Sequence, residues 1–334
     1  MNAVLFDREE TWTSLLPFTF TRPVAEIRNG ILTVRERWEK ALGQACSSLS
    51  RDYLAQKYPA RITTDNVFIA SHVHPNAELV VEIKDLGMQE ALFSGKDLIA
   101  FRAGIFELKN ISAYKRRESS AAPVTFEKAW DLFRQCGERI REDCEILVHS
   151  KIFSRLSDTV TVIGPRDLVF LEEGARAEAC VLNTTGGPIY LGKDAEVMEG
   201  CLVRGPFALG EHSTLKMGAK VYGPSVIGPH CKVGGEFSNS LMFGYSNKAH
   251  DGFVGNSVIG EWCNLGADTN CSNLKNNYGN VKVYSYAKKG MEDSGLQFCG
   301  LMMGDFSRSG INTMFNTGTV VGVGCNIFGG GFPP

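Results

Sequence analysis

The chain has 334 residues, 43% hydrophobic and 22% charged, which is enough for two domains with cores of their own. Its 35 Lys and Arg against 37 Asp and Glu leave a formal net charge of -2, so no global basic field draws it to nucleic acid or anionic lipid, and any anionic ligand must be held locally. Ten cysteines without a Cys-x-x-Cys pair, an N-terminus without a basic leader and no run of roughly 20 apolar residues predict a reduced, cytoplasmic protein, neither secreted nor membrane-inserted.

In chain order, "AVLFD" (3–7) reads as a buried strand, "GILTVRERWEKAL" (30–42) as an amphipathic helix, "NVFIAS" (66–71) as a strand and "ELVVEIKDL" (78–86) as a helix. A further helix is expected from Phe126 to about Arg141, capped by Thr125. This alternation predicts an α/β domain over residues 1–150, followed by a second domain over 151–334.

From Leu191 an aliphatic residue returns every six positions, through Val197, Val203, Leu209, Leu215, Val221 and Ile227 to Val233. A smaller residue follows four places after most of them, as at Ala195, Cys201, Ser213, Ala219 and Cys231. This is the period of a hexapeptide β-helix, in which about three hexads make a coil and residues 18 apart stack at the ~4.8 Å spacing of paired strands. The period lapses after Val233 and resumes at Phe253, Ile259, Leu265 and Cys271, then again at Met303, Ser309, Phe315, Val321 and Ile327. Val233 to Ile259 is 26 residues, two more than four hexads, which predicts a small bulge carrying His250. The longer gap, "LKNNYGNVKVYSYAKKGMEDSG", predicts a loop thrown out from the coil beside a binding face.

The segment "KAHDGFVGNSVIGEWCNLGADTNCSN" resembles the acetyltransferase part of the bifunctional N-acetylglucosamine-phosphate uridylyltransferase and glucosamine-phosphate acetyltransferase family. The likeness runs through His250, Gly255, Ile259-Gly260, Asn264, Gly266-Ala267 and Asn273. "LLPFTFTRPVAEIRNGILTVRERW" resembles a branch of that family with a shortened first domain. The resemblance implies a nucleotidyltransferase-like α/β domain followed by a left-handed parallel β-helix, a hand that the usual rule for parallel crossovers would not give. It implies a transferase of nucleotide-sugar synthesis, of the UDP-N-acetylglucosamine type, that moves an acetyl group from acetyl-CoA to an amino-sugar phosphate. A homotrimer with sites between subunits is expected, and Mg²⁺ if the first domain is active, with its ligands unassigned.

Carried over residue by residue, the family's general base falls on His250, an imidazole suited to take a proton from an amine and return it to a thiolate. Asn264 and Asn273 fall on acceptor- and histidine-positioning asparagines, and the Ala267 N–H on the oxyanion donor. Glu236 and Lys248 fall on the substrate side, and Lys220 replaces a phosphate-binding arginine. The sequence departs from the family at Phe253, Ser238 and Leu274, where two tyrosines and a lysine are expected, which leaves room for a rearranged acceptor. In the first domain no glycine-rich loop follows the opening strand. The candidates for a nucleotide's phosphates are instead Arg22, Arg28 and Asn29-Gly30, expected at a helix start.

Two other readings stay open. His212, His230 and His250 could stack as a zinc-binding column of the hexapeptide carbonic anhydrase type. The missing glycine cradle also suits a nucleotide-sugar-binding regulatory or assembly subunit without catalysis.

Overall fold

The computed structural model describes residues 1–149, 151 and 153–333. It falls into two compact units, the first comprising Met1–Leu15, Thr21–Ile27 and Leu32–Lys128, the second Leu16–Phe20, Arg28–Ile31 and the chain from Ala129 onward. The expected boundary at 150/151 meets Ser150, outside the described residues. No helix among the described residues is long and apolar enough to cross a membrane.

The first unit is built on a six-stranded mixed sheet ordered Cys46–Leu49, Asn2–Phe6, Asn66–Ala70, Asp97–Ala103, Glu90–Ser94, Lys115–Glu118. The first three strands run parallel, with Ala3 opposite Cys46 on one side and Val67 on the other. Asp97–Ala103 is antiparallel to both of its neighbours. Asn2–Phe6 and Asn66–Ala70 are central strands, and their near-continuous apolar runs are buried on both faces. The helix Val34–Leu42 begins four residues later than expected, because Thr33 and Glu36 form a capping box that closes it there, and Gly43 ends it in the left-handed conformation. Thr125 does not cap a helix. Val124–Thr125 pairs with Val73–His74, and the Phe126 N–H is spent on the His72 carbonyl. The last helix therefore starts at Asp131, runs to Val148 and belongs to the second unit.

In that unit, short parallel strands stack into three faces of a parallel β-helix. The first face climbs from Thr161–Ile163 through Val181–Asn183, Leu202–Arg204, Lys220–Tyr222 and Glu236–Ser238 to Phe253–Gly255. The second runs from Val169–Leu171 to Val320–Val321, and the third from Arg176–Ala177 to Asn326–Ile327. All eight predicted aliphatic positions from Leu191 to Val233 are buried in the prism. Cys201, Cys231, Cys263 and Cys271 pack among them as free thiols. The expected extruded loop is a hairpin, Lys282–Ser285 with Gly290–Asp293, whose Val281 and Val283 are buried.

The break in the period is not a bulge. Val233 to Ile259 comprises five steps between inward positions, through Phe237, Met242, Lys248 and Val254, of four, five, six, six and five residues. Read as four hexads plus two, the interval looks inserted; by strand pairing it is five turns short of residues. Phe253, expected inside, faces outward, and Val254 takes the inward place opposite Phe237. The turn carrying His250 has the ordinary six residues, as do Leu215–Val221 below and Leu265–Cys271 above. The contracted turn is Val233–Phe237, directly beneath His250, which has only four.

Candidate functional sites

In the first unit the chain leaves Asn2–Phe6, returns on one side as Cys46–Leu49 and crosses to the other side as Asn66–Ala70. Where a sheet's order reverses in this way, the loops at the strands' carboxyl ends part and leave a crevice. Asp7, Ser50 and His72 stand at those ends. The Val24 N–H lies 3.1 Å from each Asp7 carboxylate oxygen, and the Ser50 hydroxyl donates to one of them. Burial outweighs these bonds and raises the Asp7 carboxyl to about 6. Arg51 lies over the Trp12 ring, 4.2 Å from its centroid, and pairs with Glu9 at 2.5 Å. Asp7, Arg8, Trp12, Ser50 and Arg51 line a cavity of about 90 Å³, small beside the roughly 300–1,000 Å³ usual for a small-molecule site.

Next to it, His72 is buried and its Nε2 lies 3.2 Å from Asp97 Oδ2 and 3.4 Å from Arg8 Nη1, while Arg8 also donates to Asp97 Oδ1. Burial, aided by the Arg8 charge, pushes the imidazole down to about 3, so it is neutral. His72, Asp97 and Glu127 bring ligand atoms within 4.8 Å of one another. This set does not fit Mg²⁺, which prefers oxygen donors in an octahedron, because one donor is a nitrogen and the Arg8 guanidinium already holds Asp97.

The four residues expected to hold a nucleotide do not gather in either unit. Arg22 is buried in the first unit, whereas Arg28, Asn29 and Gly30 belong to the second. There Arg28 donates to the Ile31 carbonyl and Asn29 is fully buried. The helix N-terminus expected to serve them lies at Val34, where the capping box engages the N–H groups of Thr33 and Glu36 and the Ile27 carbonyl that of Val34.

In the second unit, the four-residue turn leaves a notch at the corner between the third and first faces. Lys216, Met217, Gly234, Gly235, Ala249, His250, Asp251, Ala267 and Asp268 line it. His250 is exposed there, and its ring makes no hydrogen bond among the described residues. Ala267, one coil above, lines the same notch, and its N–H is likewise without a partner among the described residues. The turn itself is fixed. Asp268 N–H donates to Asp251 O at 3.0 Å, Phe253 N–H to Asn270 Oδ1 at 2.9 Å, and Glu236 N–H to Gly252 O at 3.0 Å. Gly234 and Gly235 are needed beneath it. A Cβ on Gly234 would lie 2.5 Å from the Ala249 carbonyl oxygen, and one on Gly235, at φ +70°, 2.6 Å from that of Gly252.

Lys248, expected on the substrate side, lies inside the prism. It takes the inward place opposite Val233, below Leu265, and is 1% exposed. Its Nζ donates to the His250 carbonyl. Burial pulls the ammonium down to about 8, against the opposing pull of Cys271, Asp251 and Asp268. Lys248 thus ties the His250 turn from within.

The other predicted residues fall into separate settings. Lys220, Glu236 and Phe253 are successive rungs of one outward column on the first face, and Glu236 follows Gly235 of the notch. Asn264 is exposed on the third face, between Asn247 and Arg308. Asn273 Nδ2 donates to Asn256 Oδ1 at 2.8 Å and does not line the notch. The histidine column is only half realised. His212 and His230 stack at 4.9 Å, but the next rings are Tyr245 and Trp262, at 4.9 and 4.5 Å, all four on left-handed backbone at one corner. His250 sits at a different corner, so the three histidines cannot share a zinc ion. Sequence reasoning missed the Gly234-Gly235 contraction, Asn270 and the crevice residues Asp7 and His72. The glycine pair was the available signal for the first of these.

The bifunctional protein GlmU of Methanocaldococcus jannaschii is 33% identical over 90 residues, 27% of this chain and 21% of that protein, so the chain spans about a fifth of the length of the curated relative it matches. Residues 3–152 match the family model of sugar nucleotidyl transferases, and with its parallel central strands and carboxyl-end crevice the N-terminal domain is a sugar nucleotidyl transferase domain.

Proposed function

We propose that the chain is a transferase of nucleotide-sugar synthesis whose β-helix moves an acetyl group from acetyl-CoA to the amine of an amino-sugar phosphate. The observation that carries this reading is the notch at His250, with an exposed imidazole and an unengaged Ala267 N–H on one wall. The acceptor amine attacks the thioester carbonyl as His250 takes its proton. The carbonyl oxygen, becoming an oxyanion, accepts from the Ala267 N–H. Collapse breaks the C–S bond, and the thiolate leaves with the proton returned by His250. Lys248 keeps the histidine's backbone in place, and the Lys220–Glu236–Phe253 column receives the acceptor.

In the same proposal the first domain binds a nucleotide sugar at the Asp7 crevice, with Arg8 and Arg51 toward its phosphates in place of Arg22 and Arg28, and three copies assemble through the β-helix. The sequence division at 150/151 serves as the proposed limit between the two activities. Thiol release from acetyl-CoA with glucosamine-1-phosphate tests the first part. His250→Ala should retain the fold and lose about 10²- to 10⁴-fold in rate; an unchanged rate, or none in the wild type, removes the acetyltransferase reading. The small Asp7 cavity and the Glu9–Arg51 pair favour a second reading, in which the first domain binds no nucleotide and serves as a non-catalytic assembly or regulatory part. Calorimetry with UTP, dTTP and UDP-N-acetylglucosamine separates the two.

A further inference from the structure

The edge strand Cys46–Leu49 has one side against Asn2–Phe6 and the other open. The Asp7 N–H donates to the Leu49 carbonyl at 2.9 Å, so in this parallel ladder Ser47 and Leu49 turn their backbone groups into the sheet, while Cys46 and Ser48 turn theirs to the open side. The Cys46 N–H donates to Glu39 Oε1 at 3.0 Å. Ser48 has no such partner. It is 3% exposed, its hydroxyl makes no hydrogen bond, and among the described residues none reaches its backbone from the open side. Residues 57–61 run beside the strand without pairing with it, kept there by the Arg61 N–H, which donates to Ser47 Oγ at 3.0 Å, and by the Asn2 amide, which donates to the Arg61 carbonyl at 2.6 Å. The space between is a cavity of about 460 Å³, lined by Ser48, Arg35, Cys46, Tyr58 and Pro59 among others, within the range usual for a small-molecule site. It shares no lining residue with the Asp7 crevice.

A buried residue whose hydroxyl, N–H and C=O all lack partners is costly, and an open strand edge is ordinarily covered or paired. The inner wall is polar but carries no unengaged charge. Arg35 is held by Glu26 at 2.6 Å and Glu39 at 2.9 Å, and burial pushes the Cys46 thiol up to about 12, so it stays protonated and is no metal ligand. Such a wall selects a neutral group, and the N–H and C=O that one strand residue presents side by side match a planar amide edge, with its donor next to its acceptor. Tyr58 and Pro59 offer flat surface to the ring that bears it. We propose that this cavity is a nucleobase site, separate from the crevice, in which the amide edge of a base such as uracil pairs with the Ser48 backbone and hydroxyl. Neither acetyl transfer nor the crevice is needed for it. Arg61, exposed and without an ion pair among the described residues, lines the same cavity, so a nucleotide's phosphate adds to binding that the base directs.

Calorimetry on the full chain with uridine, N3-methyluridine and uridine monophosphate tests the site. N3-methyluridine should bind about 10-fold or more weakly than uridine, since the methyl removes the donor and leaves the Ser48 carbonyl unpaired, and Ser48→Ala should weaken uridine binding by about 3- to 10-fold. The same variant, free of ligand, should show a higher urea midpoint, because it loses a buried hydroxyl that has no partner. Tighter binding of uridine monophosphate than of uridine, with the gain lost in Arg61→Gln, identifies the ligand as a nucleotide; equal affinities identify a nucleoside. No binding of uridine by the wild type up to about 10 mM, or wild-type affinity in Ser48→Ala, overturns the proposal. Binding that survives Ser48→Ala and falls in Arg51→Gln belongs to the crevice, which removes this site and keeps the nucleotide reading of the first domain. Binding that falls in Ser48→Ala and survives Arg51→Gln leaves the edge site standing even if the crevice binds nothing.

Discussion

Replacing Lys248 by methionine should make the β-helix more stable, although it removes a hydrogen bond. The side chain occupies an aliphatic place in the prism, with Val233 and Leu265 as neighbours, and methionine fills nearly the same volume. Its ammonium titrates at about 8 in the fold against 10.5 when free. Below pH 8 both states carry the proton and the fold bears the whole cost of burying it. Between 8 and 10.5 the unfolded chain holds more protons, so stability rises with pH, and above 10.5 the cost is gone. A drop of this size corresponds to roughly 3 kcal/mol, which water at the exposed His250 corner screens to about 2 kcal/mol. The freed His250 carbonyl lies in an exposed turn, where water replaces the lost donor, so the net gain at pH 7 is about 1–2 kcal/mol. Urea unfolding followed by far-ultraviolet circular dichroism, at pH 7 and at pH 10, measures it. The variant's advantage should shrink by about 2 kcal/mol across that interval. A variant less stable than wild type at pH 7, with a difference that does not change with pH, would refute the reasoning. The proposed acetyl transfer should fall in the same variant, because the turn presenting the imidazole is no longer tied.

Gly234→Ala forces a methyl against the Ala249 carbonyl oxygen and should cost about 1–3 kcal/mol of unfolding free energy in urea, with a matching loss of the proposed acetyl transfer as the turn lifts. Asp7→Asn tests the crevice. The folded carboxyl is raised from 3.8 to about 6, so its favourable contribution is present below pH 4 and lost as pH rises through 6; the variant's stability relative to wild type should therefore increase from pH 4 to pH 7.5. A pH-independent difference would mean that Asp7 is not held in that state. Double replacement of His212 and His230 by alanine should leave the proposed acetyl transfer within about twofold, since their corner is not the one that carries His250.

The columns of the β-helix were legible because a buried aliphatic residue must recur wherever the chain re-enters the prism, as from Leu191 to Val233. The turn lengths were not. An interval of 26 residues suits four long turns or five short ones, and only the pairing of Val233 with Lys248 and of Phe237 with Val254 decides between them. A lysine in the aliphatic register hid one turn, and the neighbouring Phe253, outward but apolar, suggested the wrong phase. In the first domain the capping box was present in "TVRE", yet the apolar Ile31 and Leu32 drew the helix start earlier. The crevice could not be read along the chain, because Asp7, Ser50 and His72 meet only through the crossing of parallel strands. The likeness at His250 and Ala267 did place two residues at one notch, while Asn264 and Asn273 came to rest elsewhere.

The contracted Val233–Phe237 turn bears on how such proteins acquire clefts. In a stacked coil each corner touches only the corners above and below it, so a length change there need not travel. Met242 still pairs with Ile227, and Lys248 with Val233, within one circuit of the two lost residues. Deletion can therefore carve a recess whose walls are already in place, with no new side chain, at the expense of one further residue in the following turn, Phe237–Met242. By the same logic, reinserting two small residues between Gly234 and Gly235 would plug the recess and leave the strand ladders as they are.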